Sequence, residues 1–253
     1  MFKHLKFTRD QADKIIFCSD LHLNQGKQFL VEGRSNFLDQ GNLPFATPEG
    51  HDEWIWSQLE KYADGEHILF NLGDQVFRDG NGSVFDRLTE LNFKEHYILY
   101  GNHCSGLKQT YKEAVYYWHG VLNYEDLEFE IYPLKWKNVT FVGHDLKIFI
   151  GKQEIHMSHF PKRIWDNMSD KRKCNEHGHL SGIKPSIHLS GHSHASDPSR
   201  NVDHKAGKCL DVGVENAITY GDKFCFTYSE IESIMETKQV EVLDHHKGSE
   251  NPS

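Results

Sequence analysis

Short apolar runs, each closing on a small polar cluster, set the rhythm of the chain. Lys14-Ile15-Ile16-Phe17-Cys18-Ser19, His67-Ile68-Leu69-Phe70-Asn71-Leu72, Tyr97-Ile98-Leu99-Tyr100 and Ile187-His188-Leu189 are continuous or nearly so. That pattern suits buried strands. Val139–Val142 and Asp145–Ile150 read the same way, and Gly151-Lys152 is a hairpin turn into Gln153–Ser158. Leu210–Asn216 is a further strand-like piece. Helical spacing occurs elsewhere. Ile55, Leu59 and Tyr62 share one face of a predicted helix over 51–62, with Trp54 and Trp56 packing in the core. Helices are also predicted within 83–91, around 108–117 and over 229–236, the last capped by Ser229 with Glu232 closing a capping box. Residues 1–14 read as peripheral, 23–50 as a long loop, 162–186 as a basic lid or solvated charge run, and 244–253 as a frayed tail.

Strands alternating with helices predict an α/β domain whose chemistry collects at the carboxyl ends of the strands. No repeat or linker divides the chain, so residues 1–253 are expected to form one domain with its core over about 15–236. Composition sharpens the picture. The net charge is −9 with His neutral, which argues against a surface for long duplex nucleic acid, since such binding rests on Lys and Arg against phosphates. Five scattered cysteines form no CxxC pair and fit a reducing, cytoplasmic setting. No run has the length of a membrane span.

The polar clusters carry the candidate chemistry. They are Asp20-Leu21-His22, Gly73-Asp74, Gly101-Asn102-His103, His159-Phe160-Pro161 and Gly191-His192-Ser193-His194. In extended chain, residues i and i+2 point to one side. Asp20 with His22, and His192 with His194, are therefore expected side by side, and glycine lets backbone approach an ion closely. In a chain with 18 histidines any one pair could be a solvated loop, and Gly73-Asp74 alone could be an Asx turn. His156, three residues before His159, falls on the opposite face of its strand and reads as structural. Imidazole, carboxylate and amide oxygen together suit Mn²⁺, Fe²⁺, Zn²⁺ or Ni²⁺. Seven such ligands exceed what one ion needs.

In this order and spacing the clusters resemble the calcineurin-like metallophosphoesterase superfamily, over about 15–236. Leu210-Asp211-Val212-Gly213-Val214 and the Ser-Glu-Ile-Glu-Ser-Ile-Met segment resemble in particular its compact bacterial and phage members. The resemblance implies a four-layer αββα sandwich, with two mixed sheets flanked by helices. It implies Asp20, His22 and His194 on one metal, Asn102, His159 and His192 on a second, and Asp74 bridging them, with Mn²⁺ the favoured ion. A hydroxide between the ions would attack phosphorus in line, and His103 would protonate the leaving oxygen. The family usually has Asp or Glu after that His; here Cys104 takes the place, which leaves Asp79 or Glu95 as candidates to orient His103. Arg34 and Arg163 are candidate contacts for a substrate phosphate. The expected substrate is a small phosphodiester or nucleotide. A nuclease or phosphomonoesterase on the same site, or an inactive metal-binding docking module, are the competing readings.

Overall fold

The computed structural model describes residues 5–26, 44–77, 82–103, 134–168, 173–174, 180–181 and 184–240. The apolar runs become two mixed sheets. In the first, β2 (Ile15–Cys18), β3 (Ile68–Asn71), β4 (Glu95–Ile98) and β6 (Val139–Phe141) run parallel. The antiparallel strands β5 (Leu134–Trp136) and β13 (Phe226–Thr227) form its edges. The second sheet has the order β1 (Leu5–Phe7), β7 (Asp145–Ile150), β8 (Gln153–Ser158), β11 (Ile187–Ser190) and β12 (Cys209–Asp211). The β7–β8 hairpin is antiparallel, and the other pairings are parallel. Two short strands, β9 (Lys173–Cys174) and β10 (Leu180–Ser181), pair with each other.

Alternation along the strands explains the layering. Ile15 and Phe17 face a core shared with Ile148, Ile155, Met157 and Leu189 of the second sheet. Register aligns Phe17, Phe70 and Tyr97 across β2, β3 and β4, and their rings stack at 5.3 and 4.8 Å. Each such buried side chain contributes about 1.5–3 kcal/mol. Ile16, Cys18 and Leu69 face the other way. They pack under α1 (Pro48–Tyr62), α2 (Ser83–Glu90) and α3 (Val214–Gly221) through Ile55, Leu59, Leu88 and Ile218. Trp54 and Trp56 lie against this cluster, as expected. The fourth helix, α4 (Tyr228–Thr237), inserts Ile231, Ile234 and Met235 into the inter-sheet core. Two mixed sheets with helices are the architecture the resemblance implied.

Several local expectations shift. Residues 5–7 are not peripheral: they add parallel to the edge of β7. Helix α1 begins a turn early because Thr47 accepts from the Gly50 N–H and Pro48 stands at its first position. Val214, Ala217 and Ile218 have helical spacing, so Val214–Asn216 start α3 rather than extend a strand. Thr227, not Ser229, caps α4, with Glu230 completing the capping box. Glu232 instead holds Arg9 at 2.6 and 2.7 Å. The helix expected around 108–117 lies outside the described residues. Among the described residues, no helix is long and apolar enough to cross a membrane.

Candidate metal centre

The parallel strands of both sheets end at one edge, and every cluster singled out above follows such an end. β2 leads to Asp20 and His22, β3 to Asp74, β4 to Asn102 and His103, β8 to His159, and β11 to His192 and His194. Main-chain bonds tie these loops together. Asp20 N–H donates to Gly73 O, His22 N–H to Asp74 O, and Gly191 N–H to His159 O. An isolated bridge between Ser19 and Gly213 joins the ends of β2 and β12, one from each sheet. Asp20, His22, Asp74, His192 and His194 all have positive φ, between 48° and 68°. A side chain there costs roughly 1–2 kcal/mol, and strain of this kind gathers at functional sites. The turns at Asp20–His22, Asp74 and His192–His194 are therefore tight and left-handed, not the extended segments that a period of two assumed.

The glycines stand where a side chain would collide. A Cβ at Gly191 would stand 1.9 Å from Ser19 Oγ and 2.4 Å from Asp20 Oδ2; one at Gly101 would stand 2.0 Å from Asp74 Oδ1. They admit a neighbouring carboxylate. Each carboxylate then turns one oxygen to a backbone N–H, Asp20 Oδ2 to His192 and Asp74 Oδ1 to His103, both at 2.9 Å. The other oxygen faces imidazoles. Asp20 Oδ1 lies 3.8 Å from His22 Nε2 and 3.7 Å from His194 Nε2. Asp74 Oδ2 lies 3.9 Å from His22 Nε2 and 3.3 Å from His159 Nε2. Asn102 Oδ1 is 2.9 Å from the same His159 nitrogen. Ligand atoms about 2.1 Å from a shared ion lie about 3.0–3.4 Å apart when adjacent and up to about 4.2 Å when opposite, so spacings of 2.9–3.9 Å are those of donors gathered around cations. Two overlapping groups could each hold an ion: Asp20, His22 and His194, and Asp20, Asp74 and His159.

Supporting contacts orient the ring nitrogens. His194 Nδ1 donates to Glu215 Oε1 at 2.7 Å, and His159 Nδ1 to Leu72 O at 3.1 Å. Each leaves Nε2 as the inward-facing lone pair. Glu215 is fully buried, in the first turn of α3. Asp211 accepts from Ser193 Oγ, from Ala195 N at 3.3 Å and from Gly213 N at 2.7 Å, which braces the turn carrying His192 and His194. Burial, with the nearby charge of Asp20, pushes the Asp211 carboxyl up to about 6. Burial also opposes ionisation of Asp20, but the imidazoles of His22, His194 and His159 outweigh it and hold the carboxyl well below the usual range. Burial lowers the His159 pKa; Asp74 and the charge of Asp20 overcome that and raise it.

The structure thus brings together Asp20, His22, Asp74, Asn102, His159, His192 and His194. His192 turns away from His194 towards His159, ring to ring at 5.2 Å, while His194 meets His22 at 5.0 Å. His103 is exposed beside them, its ring 5.6 Å from His22 and 4.9 Å from Phe77. Arg163 is exposed, four residues beyond His159; Arg34, Asp79 and Cys104 lie outside the described residues. Glu95 starts β4, opposite the site end, and accepts from Tyr97 OH. Among the described residues it is not placed to orient His103. Glu215 was missed. Its sequence neighbours read as strand, and its partner His194 is 21 residues away.

His156 sits on the outer face of the second sheet with Glu154 and Asp166, a third group with metal-ligand geometry. There the Lys147 ammonium binds Glu154 at 2.8 Å and Asp166 at 3.0 Å. That cation serves the carboxylates, in keeping with a structural His156.

The sequence profile of calcineurin-like phosphoesterases matches residues 13–196, which span all five clusters. No curated protein matches the chain. A crystal structure of a protein of unknown function from Aquifex aeolicus is similar at 14% identity and a TM-score of 0.48, over 87% of this chain and 98% of that one. By the profile match, the chain belongs to the calcineurin-like phosphoesterase family.

Proposed function

We propose that this protein is a dinuclear metal-dependent phosphodiesterase acting on small phosphodiesters or nucleotides. The observation that carries the reading is the meeting of Asp20 Oδ1 and Asp74 Oδ2 with the Nε2 atoms of His22, His159 and His194 at 3.3–3.9 Å. Asp20, His22 and His194 would hold one ion and Asn102, His159 and His192 a second, with Asp74 shared; the donor set suits Mn²⁺, Fe²⁺, Zn²⁺ or Ni²⁺, and the family resemblance favours Mn²⁺ among them. Two such ions, when bound, supply positive charge to the phosphoryl oxygens and activate water for in-line attack.

The chain's own groups do the rest. Glu215 and the Leu72 carbonyl fix the tautomers of His194 and His159. Asp74 holds the backbone of His103 through Oδ1, and the exposed His103 imidazole passes a proton to the leaving oxygen. Arg163, exposed near His159, meets a substrate phosphate. The acidic balance of the chain, −9, favours small substrates over long duplexes.

The test is hydrolysis of bis(p-nitrophenyl) phosphate, p-nitrophenyl phosphate and single-stranded DNA with added Mn²⁺. Turnover led by the diester supports the reading. Turnover of the monoester or of DNA alone moves the assignment to a phosphomonoesterase or nuclease. Metal binding without turnover leaves a docking module.

A further inference from the structure

Phe160 is an exposed large apolar side chain, 46% accessible, yet it is held in place. Its ring packs edge-on against His192 at 4.7 Å and against His159 at 5.1 Å. It therefore borders the cluster of Nε2 atoms on the side where His192 and Asn102 open to solvent.

The backbone beneath that ring is anchored by a directed chain of buried hydrogen bonds. Arg200, 4% accessible, donates from Nη1 to His188 Nδ1 at 2.9 Å. The other nitrogen of His188 then carries the proton and donates to Ser158 Oγ at 3.0 Å. Ser158 in turn donates to the Phe160 carbonyl at 2.7 Å. Arg200 also donates from Nη2 to Lys162 O and from Nη1 to Ser190 Oγ at 3.2 Å. The Trp165 ring lies 5.2 Å from that of His188. The carbonyls on either side of Pro161, those of Phe160 and Lys162, are thus tied to the sheet. Lone exposed phenylalanines are common; one fixed by a buried polar chain, with its ring against two candidate ligand imidazoles, is a preorganised surface.

Resting on the phosphodiesterase reading, we infer that Phe160 is a substrate platform. It stacks a planar aromatic ring of the nucleobase kind, borne by the ester group of the substrate, while phosphorus sits over the Nε2 cluster. Ring-on-ring stacking tolerates different bases, because each offers a π face. The platform thus selects esters that carry an aromatic ring over those that carry none, without reading one base.

Inhibition by product analogues tests this. Ki values for thymidine 5′-monophosphate and ethyl phosphate are measured against turnover of bis(p-nitrophenyl) phosphate by Mn²⁺-loaded protein. Metal content is determined on the same samples. Wild type is expected to prefer the thymidine compound by about tenfold or more, the scale of one base–aromatic stack. Phe160→Ala and Phe160→Leu should bring that ratio close to one at unchanged metal content, and Phe160→Trp should restore it. An active wild type whose ratio survives Phe160→Ala and Phe160→Leu overturns the platform alone. A wild type inert towards every ester overturns the phosphodiesterase reading and the platform with it.

Discussion

The two halves of the metal centre are built differently. Asp20, His22 and the buried Glu215 behind His194 form a closed half, in which each group is packed or braced. Asn102, His103 and His192 form an open half exposed to solvent. Asp74 and His159, both 1% accessible, lie between the two. The closed half sets geometry before any ligand arrives, which is what a tightly held ion needs. The open half leaves room for substrate, with His103, the proposed acid, exposed at its rim. One set of strand ends supplies both, because the bridge between Ser19 and Gly213 draws the carboxyl ends of β2 and β12, one from each sheet, together.

Removing the shared carboxylate should break both halves at once. Asp74→Asn is expected to lower kcat/KM for bis(p-nitrophenyl) phosphate a thousandfold or more, since the ions supply several kcal/mol of charge stabilisation. It should also reduce metal content, measured by elemental analysis. Full metal loading with near-normal rate would show that Asp74 is not shared. His103→Ala acts on the open half alone. It should keep the metal and slow turnover by about 10²–10⁴-fold, most for esters with poor leaving groups. An equal loss for p-nitrophenol and alkyl leaving groups would contradict the acid role.

Glu215→Gln sharpens the contrast from the closed side. Loss of a carboxylate brace behind a ligand imidazole typically weakens metal affinity 10–100-fold. Calorimetric titration should show that loss for one equivalent and spare the other. Equal weakening of both equivalents would mean that the halves are not separable.

The smallest effect lies outside both halves. His96 is buried on β4, and burial lowers its pKa to about 3. The unfolded chain takes up its proton near pH 6.5 and the folded chain does not. Stability is therefore lost as pH falls below about 6.5, by about 1.4 kcal/mol per unit, or about 2 kcal/mol by pH 5. Urea unfolding of His96→Leu at pH 7 and pH 5 should show a smaller drop than wild type. An identical drop would place the acid sensitivity elsewhere, with His188, held well below its usual value by burial and Arg200, as the first alternative.

Much of this was legible in the sequence because the ligands follow apolar runs that could only be buried strands. Ile15–Cys18 and Ile187–Ser190 announce where Asp20 and His192 must emerge. What escaped depends on contacts distant in sequence or on backbone that side-chain periodicity does not report. Glu215 has a function only through His194, and Arg200 only through a relay that crosses three segments. The left-handed turns at Asp20, His22, His192 and His194 leave no mark in hydrophobic spacing. Gly191 was read as easing backbone close to an ion, but the neighbour that needs it and Gly101 to be small is a carboxylate in another loop.

The most direct test of the two-ion claim is titration of metal-free protein with Mn²⁺, reading bound metal and bis(p-nitrophenyl) phosphate turnover on the same samples. The proposed two-ion reading predicts two equivalents bound, with turnover rising as the second site fills and with His192→Ala stopping at one. Saturation of both signals at a single equivalent, or no binding at all, would contradict it.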